Sequence, residues 1–358
     1  MLILGIETSC DETAAAVVRD GVNILSSEIY SQIETHRPFG GVVPEIASRE
    51  HVARIGLIVD AAVKNANVKI KDIDGIAVTQ GPGLIGSLLV GVSFAKALAF
   101  GLNVPLIGVN HIEGHVYSVV FENPPVEYPA LALIVSGGHT NIFFSPEEGQ
   151  YQVVSRTRDD AAGEAFDKVS KMLGLGYPGG PAIEKAAVDG DPNAVALPTA
   201  KISDGRLDMS FSGLKTAVQR YIQMNPIETS AFLQKPSPII RDIAASFQQN
   251  VVRTLIRTVE KVAAINPPRT LIVAGGVACN LSLRKEAEAA SLRLGIPVYF
   301  PSRQLSTDNA AMIAAAGFAK LRKGLSSGLD MAADVTMRLQ NLGNDDVELR
   351  KRKVHYRI

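Results

Sequence analysis

The chain opens on "LILGIETSCDETAAAVVRDGVNILSS", and a similar stretch, "LALIVSGGHTNIFFSPEEGQYQVVSR", begins at Leu131. Each runs from an apolar strand through a small, polar turn to a second apolar strand, then through a charged, glycine-bearing turn to a third. A repeat constrains the fold more than any other feature here, because two copies of one unit predict two similar halves. A single β-meander has the same look, so the pattern alone leaves both readings open. Both first turns offer small residues and free backbone N–H groups, as a phosphate-cradling hairpin needs.

Between and after the copies, strands alternate with helices. "IDGIAVTQG", "VPLIGVN", "RTLIVAGGVA" and "PVYF" read as strands. The helices expected are "GPGLIGSLLVGVSFAKALAF" (after its turn), "AAGEAFDKVSKMLGL", "PAIEKAAV", "IRDIAASFQQNVVRTLIRTVEKVAAI", "LSLRKEAEAASLRLG" and "DNAAMIAAAGFAKLRKG". That alternation predicts an α/β protein of two similar lobes with a cleft between them. Residues 196–240 are less regular and are read in part as an insertion over the cleft.

A length of 358 residues is enough for two cores. With 36 basic and 36 acidic residues there is no global pull towards nucleic acid. Cys10 and Cys279 are too few for a disulfide framework, so a cytoplasmic protein is expected. "MLILGIETS" lacks a basic leader region and reads as a buried strand rather than a signal peptide. Residues 83–102 are apolar, but Lys96 and four glycines interrupt them, which predicts a core helix and no membrane span. The tail from about Gly324 loses periodicity and ends "RKRKVHYRI"; solvation and RNA contact by Arg350 to Lys353 are its two readings.

In "GVNHIEGHVYS", Asn110 is a good N-cap for a helix that puts His111 and His115 on one face, close enough to share a divalent ion. Glu113 follows the first histidine by two positions, where it points away from the pair; the zinc-protease pattern needs it directly after. The carboxylate candidate for a third ligand is Asp308 in "LSTDNAAM", which by itself also reads as a helix cap or first-turn acid. Sequence spacing cannot join it to the histidines. Gly179 and Gly180 before Pro181, and Gly275 and Gly276 after a strand, would let backbone approach a phosphate or nucleoside. Neither a P-loop nor a dinucleotide fingerprint is present.

"GIETSCDET", "GGVVPEIASREH", "GPGLIGSLLVG", "NHIEGH", "SGGHT", "FDKVSKMLGLGYPGGP", "FSGLKTA", "AGGVACN" and "STDNAAM" together resemble, in order, the bacterial tRNA threonylcarbamoyladenosine transferases (TsaD), formerly called glycoproteases. The resemblance runs from Met1 to about Leu325. It implies the actin-like, sugar-kinase-like (ASKHA) ATPase fold, with duplicated lobes. An N-terminal lobe over 1–110 would be completed by a returning helix at 308–324, a second lobe would span 111–307, and a basic tail 325–358. It implies a metal held by His111, His115 and Asp308, iron ahead of zinc.

The same resemblance implies a substrate, threonylcarbamoyl-AMP, made by a separate adenylate-forming enzyme from threonine, bicarbonate and ATP. Ile134, Val135, Ser136, Gly137 and Gly138 match the block that contacts it. Asp167, Gly180, Glu184 (often Asp in relatives) and Asn280 match residues at its adenosine end. The acceptor would be the N6 amine of the adenosine 3′ of the anticodon in tRNAs reading ANN codons, with AMP leaving. Asp11 and Glu12, in the first hairpin turn, are the candidates for orienting or deprotonating that amine; turn acids with no catalytic part are the plainer reading. The partners implied are tRNA, an inactive paralogue of the same fold (TsaB-like) and a small P-loop ATPase (TsaE-like). Rival readings are a small-molecule kinase of the same fold, a metallopeptidase and a non-catalytic scaffold.

Overall fold

The computed structural model describes residues 1–200, 202, 204–226 and 236–342. The chain divides into two compact units, Met1–Val126 with Pro301–Leu339, and Glu127–Phe300 with Gln340 onward.

The first unit carries strands β1 (Leu2–Glu7), β2 (Glu12–Arg19), β3 (Asn23–Ser31), β4 (Gly75–Gly81) and β5 (Leu106–Asn110). Its helices are α1 (Ile33–His36), α2 (Pro44–Asn65), α3 (Ile85–Leu102) and α4 (His111–Tyr117). The second unit carries β6 (Ala130–Val135), β7 (Thr140–Ser145), β8 (Gln152–Arg156), β9 (Thr270–Ala274) and β10 (Val298–Tyr299). Its helices are α5 (Ala162–Met172), α6 (Gly179–Ala187), α7 (Ser212–Met224), α8 (Pro238–Ile265) and α9 (Leu281–Leu294). Helices α10 (Arg303–Ser306) and α11 (Ala310–Leu321) return to the first unit.

Among the described residues there are two five-stranded sheets, ordered β3-β2-β1-β4-β5 and β8-β7-β6-β9-β10. Strand directions match as well: β1 and β6 each pair antiparallel with the next strand and parallel with a later one. Even the irregularity repeats, a register shift lying in β2–β3 at Val17/Val18 and in β7–β8 at Ile142/Phe143. A bare meander would not continue into parallel strands in the same order, so the sequence repeat is a true structural duplication.

The alternation of side chains explains how the first sheet is covered. Ile3, Ala14, Ala16, Val18, Ala77 and Val109 join one core with α11, whereas Leu4, Ile6, Ala15, Val17, Ile76 and Val78 join another with residues of α2 and α3. Helix α11 is rich in alanine because it lies against the strands: a Cβ on Gly5 would come 2.1 Å from the Ala310 carbonyl oxygen. The second unit has a core built on β6, β9, α5 and α8. Helix α3 is long and apolar enough to cross a membrane by length and composition. Its Leu88, Val92, Ala95 and Ala99 are buried in the unit, while Ile85, Leu89 and Phe100 stay exposed.

Three boundaries differ from the sequence expectation. Helix α4 and the chain to Val126 belong with the first unit, so the division falls after Val126 and not after Asn110. Residues 325–339 are not a loose tail, because β5 is an edge strand whose backbone needs partners. Ser327 N–H donates to Leu106 O at 2.7 Å, its Oγ accepts from Gly108 N–H at 3.0 Å, and Asp334 N–H donates to Gln80 O at 2.9 Å. Within 196–240, α7 is a core element, with Leu214 and Val218 buried in the second unit. The basic stretch Arg350 to Lys353 lies outside the described residues.

Candidate functional site

Asn110 ends β5 and caps α4, its Oδ1 accepting from Ile112 N–H at 2.9 Å and Glu113 N–H at 3.4 Å. That cap starts the helix at His111 and stacks His115 one turn on, with ring centroids 4.8 Å apart. Asp308 precedes α11, but Asn309 is the cap, its Oδ1 accepting from Met312 N–H at 3.0 Å. Asp308 is therefore not needed as a cap. Its Oδ1 lies 3.5 Å from His111 Nε2 and 3.2 Å from His115 Nε2.

Two imidazole nitrogens and a carboxylate oxygen thus lie within 4.8 Å of one another. His115 is fully buried, and neither of its ring nitrogens makes a hydrogen bond. The Asp308 oxygen, though near, lies outside hydrogen-bond geometry. A buried imidazole without partners beside a carboxylate is costly unless a cation satisfies both. The residues fit a divalent ion, and the His, His, Asp donor set suits zinc or iron.

Glu7, the last residue of β1, orders this cluster and was not singled out from the sequence. It is fully buried. Its Oε2 sits 3.0 Å from His111 Nδ1 and accepts from Thr79 Oγ1 at 2.6 Å, and its Oε1 accepts from Ser9 N–H at 2.5 Å. A carboxylate on Nδ1–H leaves Nε2 as the ligand atom. Burial opposes charge on the His111 ring, but Asp308 and Glu7 outweigh it and raise its pKa to about 9. Burial likewise works against the Glu7 carboxylate, yet the neighbouring imidazolium holds it below the usual range. The only sequence signal for Glu7 was an acid ending an apolar strand.

Glu113 faces away from the pair, its carboxylate 2.6 Å from Lys320 Nζ on α11. Burial raises its carboxyl, and Lys320 offsets part of that. The ion pair clamps the helix bearing both histidines to the helix that follows Asp308, and it removes Glu113 as the base a zinc peptidase would need.

Asp11, buried, and Glu12, partly buried, occupy the β1–β2 turn and the start of β2, in the same unit as His111, His115 and Asp308. Glu12 Oε1 accepts from Ser31 Oγ at 3.2 Å. Burial, then the charges of Asp11 and Asp308, push the Glu12 carboxyl well above its ordinary range.

The remaining candidates lie in the second unit and are tied to one another. Ile134 and Val135 end β6, and Ser136 N–H donates to His139 O at 2.8 Å to close the turn. Gly137 and Gly138 project into open space, whereas Gly163 at the start of α5 is pressed on Ser136 O. Gly275, at φ +93, packs on Val135 O, which only glycine permits. Asp167 Oδ1 accepts from Gly179 N–H at 2.6 Å at the start of α6. Gly180 beside it is open. Glu184 Oε1 accepts from Leu281 N–H at 2.6 Å, and Asn280 caps α9 through Leu283 N–H at 3.0 Å while donating to Gln248 Oε1 at 2.7 Å. The glycine turn and three helix N-termini therefore form one connected surface, rich in backbone N–H groups.

Residues 23–315 match the family described as "TsaD: tRNA N6-adenosine threonylcarbamoyltransferase". The chain belongs to this family. Among TsaD relatives of that description, one from Koribacter versatilis (strain Ellin345) is 48% identical over 377 residues, covering 95% of this chain and 99% of the relative. Another, from Symbiobacterium thermophilum, is 52% identical over 333 residues, covering 93% and 95%. Solved structures share the fold at low identity. HypF from T. kodakarensis aligns with a TM-score of 0.61 at 14% identity over 90% of this chain and 48% of that one. The (R)-2-hydroxyglutaryl-CoA dehydratase component A of Acidaminococcus fermentans aligns at 0.51 and 13% identity over 90% and 99%. The chain has the duplicated actin-like, sugar-kinase-like α/β fold.

Proposed function

We propose that this protein transfers the threonylcarbamoyl group of threonylcarbamoyl-AMP to the N6 amine of the adenosine 3′ of the anticodon, in tRNAs reading ANN codons, releasing AMP. The observation that carries the reading is the TsaD match over 23–315, which includes every candidate metal and substrate residue but not Asp11 and Glu12. In the second unit, backbone N–H groups of Gly137 and Gly138 receive the phosphate. Asp167, Gly180, Glu184 and Asn280 hold the adenosine end, with Glu184 Oε2 reaching a ribose hydroxyl.

The attacking amine is a poor nucleophile, since its lone pair is delocalised into the purine. Deprotonation must accompany attack, and Glu12, with its raised carboxyl, receives the proton while Asp11 orients the amine. His111, His115 and Asp308 hold iron, or zinc in its place. When bound, that ion supplies Lewis acidity towards a substrate oxygen.

The working assembly is cytoplasmic and comprises tRNA, a same-fold paralogue, a small P-loop ATPase and an adenylate-forming enzyme that supplies the substrate. The exposed apolar line Ile85, Leu89 and Phe100 on α3 supports a protein partner there. Purified threonylcarbamoyl-AMP, partner proteins and a tRNA with either adenosine or guanosine 3′ of the anticodon provide the test. AMP release coupled to modification is expected with adenosine alone. Equal release with guanosine, or none while another transferase works in the same mixture, contradicts the reading.

A further inference from the structure

Three consecutive carbonyls in the β1–β2 turn are each held by a different part of the first unit. Ser9 O accepts from Leu84 N–H at 2.8 Å, before α3. Cys10 O accepts from His51 Nε2 on α2 at 2.9 Å and from Ser87 Oγ at 3.4 Å. Asp11 O accepts from Gln32 N–H at 3.0 Å. A peptide carbonyl only accepts, so His51 Nε2 carries the proton. His51 Nδ1, 2.7 Å from Thr13 Oγ1, is then the acceptor of that hydroxyl in a neutral ring.

The support behind this ring is buried too. Gln32 Nε2 donates to Ala47 O at 3.4 Å, its Oε1 lies 3.1 Å from His36 Nε2, and His36 Nδ1 accepts from Val43 N–H at 3.3 Å. Thr13, Gln32, His36 and His51 are all fully buried. Filling this space with apolar side chains would need no such polar groups, so what the network provides is direction.

We infer that His51 is a positioning residue, whose Nε2–H grip on the Cys10 carbonyl fixes the turn and with it the aim of the Asp11 and Glu12 carboxyls. The inference rests on the proposed role of those two acids. His51 itself touches no reacting atom.

The test uses the full chain with its metal and partners. His51→Gln keeps an N–H donor at similar reach, while His51→Met keeps the volume and loses the donor. Per folded molecule, His51→Met should lower kcat by about tenfold or more, since a misaimed group loses rate before binding. KM for both substrates should stay within about twofold, and His51→Gln should recover most of kcat. Thr13→Val, which removes only the Nδ1 anchor, should move kcat the same way by less, and serves if His51→Met does not fold. Asp11→Asn and Glu12→Gln run in parallel. Wild-type kcat in His51→Met or Thr13→Val, with only the melting temperature lowered while the acid variants fail, overturns the inference. Wild-type kcat in both acid variants removes the catalytic reading of the turn, and the inference falls with it.

Discussion

At His111 the imidazole lies between two carboxylates, Glu7 Oε2 at 3.0 Å from Nδ1 and Asp308 Oδ1 at 3.5 Å from Nε2. Glu7→Gln keeps an acceptor for the Nδ1 proton but loses the charge that makes the ring a strong donor. Metal affinity should fall about 10–100-fold, measured by chelator competition; unchanged affinity would remove Glu7 from the centre. Glu12 gives a test through pH. Its folded-state carboxyl is raised, so its contribution to stability is largest at low pH and is lost as pH climbs through that raised value. Glu12→Gln should therefore raise the melting temperature at pH 8, leave it near wild type at pH 4, and abolish the rise of kcat with pH. A kcat profile unaltered by the substitution would remove Glu12 as the proton acceptor. The pair His111 and His115 was legible from its spacing, and Asp308 from the resemblance. Glu7 was not, because a lone acid at a strand end looks like any strand boundary.

At the scale of elements, the cluster of His111, His115 and Asp308 depends on α4 and α11 staying in register. Gly114 allows the approach, since a Cβ there would lie 2.8 Å from Ile313 Cδ1. The Glu113–Lys320 pair, at 2.6 Å, fixes it. Lys320→Met takes the ion-pair partner from a buried carboxylate and should cost about 1–3 kcal/mol of stability in denaturant unfolding. Adding Glu113→Gln should recover much of that; no recovery would mean the pair is not the clamp. The strands and most helices were legible because their apolar runs are long and bounded by glycine or proline. Helix α2 was not anticipated, and His51 helps explain why: a polar residue occupies one of its buried positions between Ala47 and Ile55. Helix α7 was obscured by the irregular sequence around it. Residues 325–339 have no period of their own because they follow the edge of β5.

For the whole molecule, the repeat at Leu2 and Leu131 was the decisive sequence signal. The two sheets answer it strand for strand. What the pattern could not supply was long-range closure: α11 crosses from the far end of the chain to cover β1, which places Asp308 beside histidines nearly two hundred positions earlier. In the proposed reading transfer requires that closure, and Asp308 is the residue at which one substitution tests it. The most direct measurement incubates tRNA with threonine, bicarbonate, ATP, the adenylate-forming enzyme and partner proteins, plus either the wild type or Asp308→Ala. The tRNA is then digested and its nucleosides weighed by mass spectrometry. A threonylcarbamoyl mass on adenosine with the wild type, lost with a correctly folded Asp308→Ala, is the expected result. Equal product from both, or none from the wild type while a known transferase succeeds in the same mixture, would contradict it.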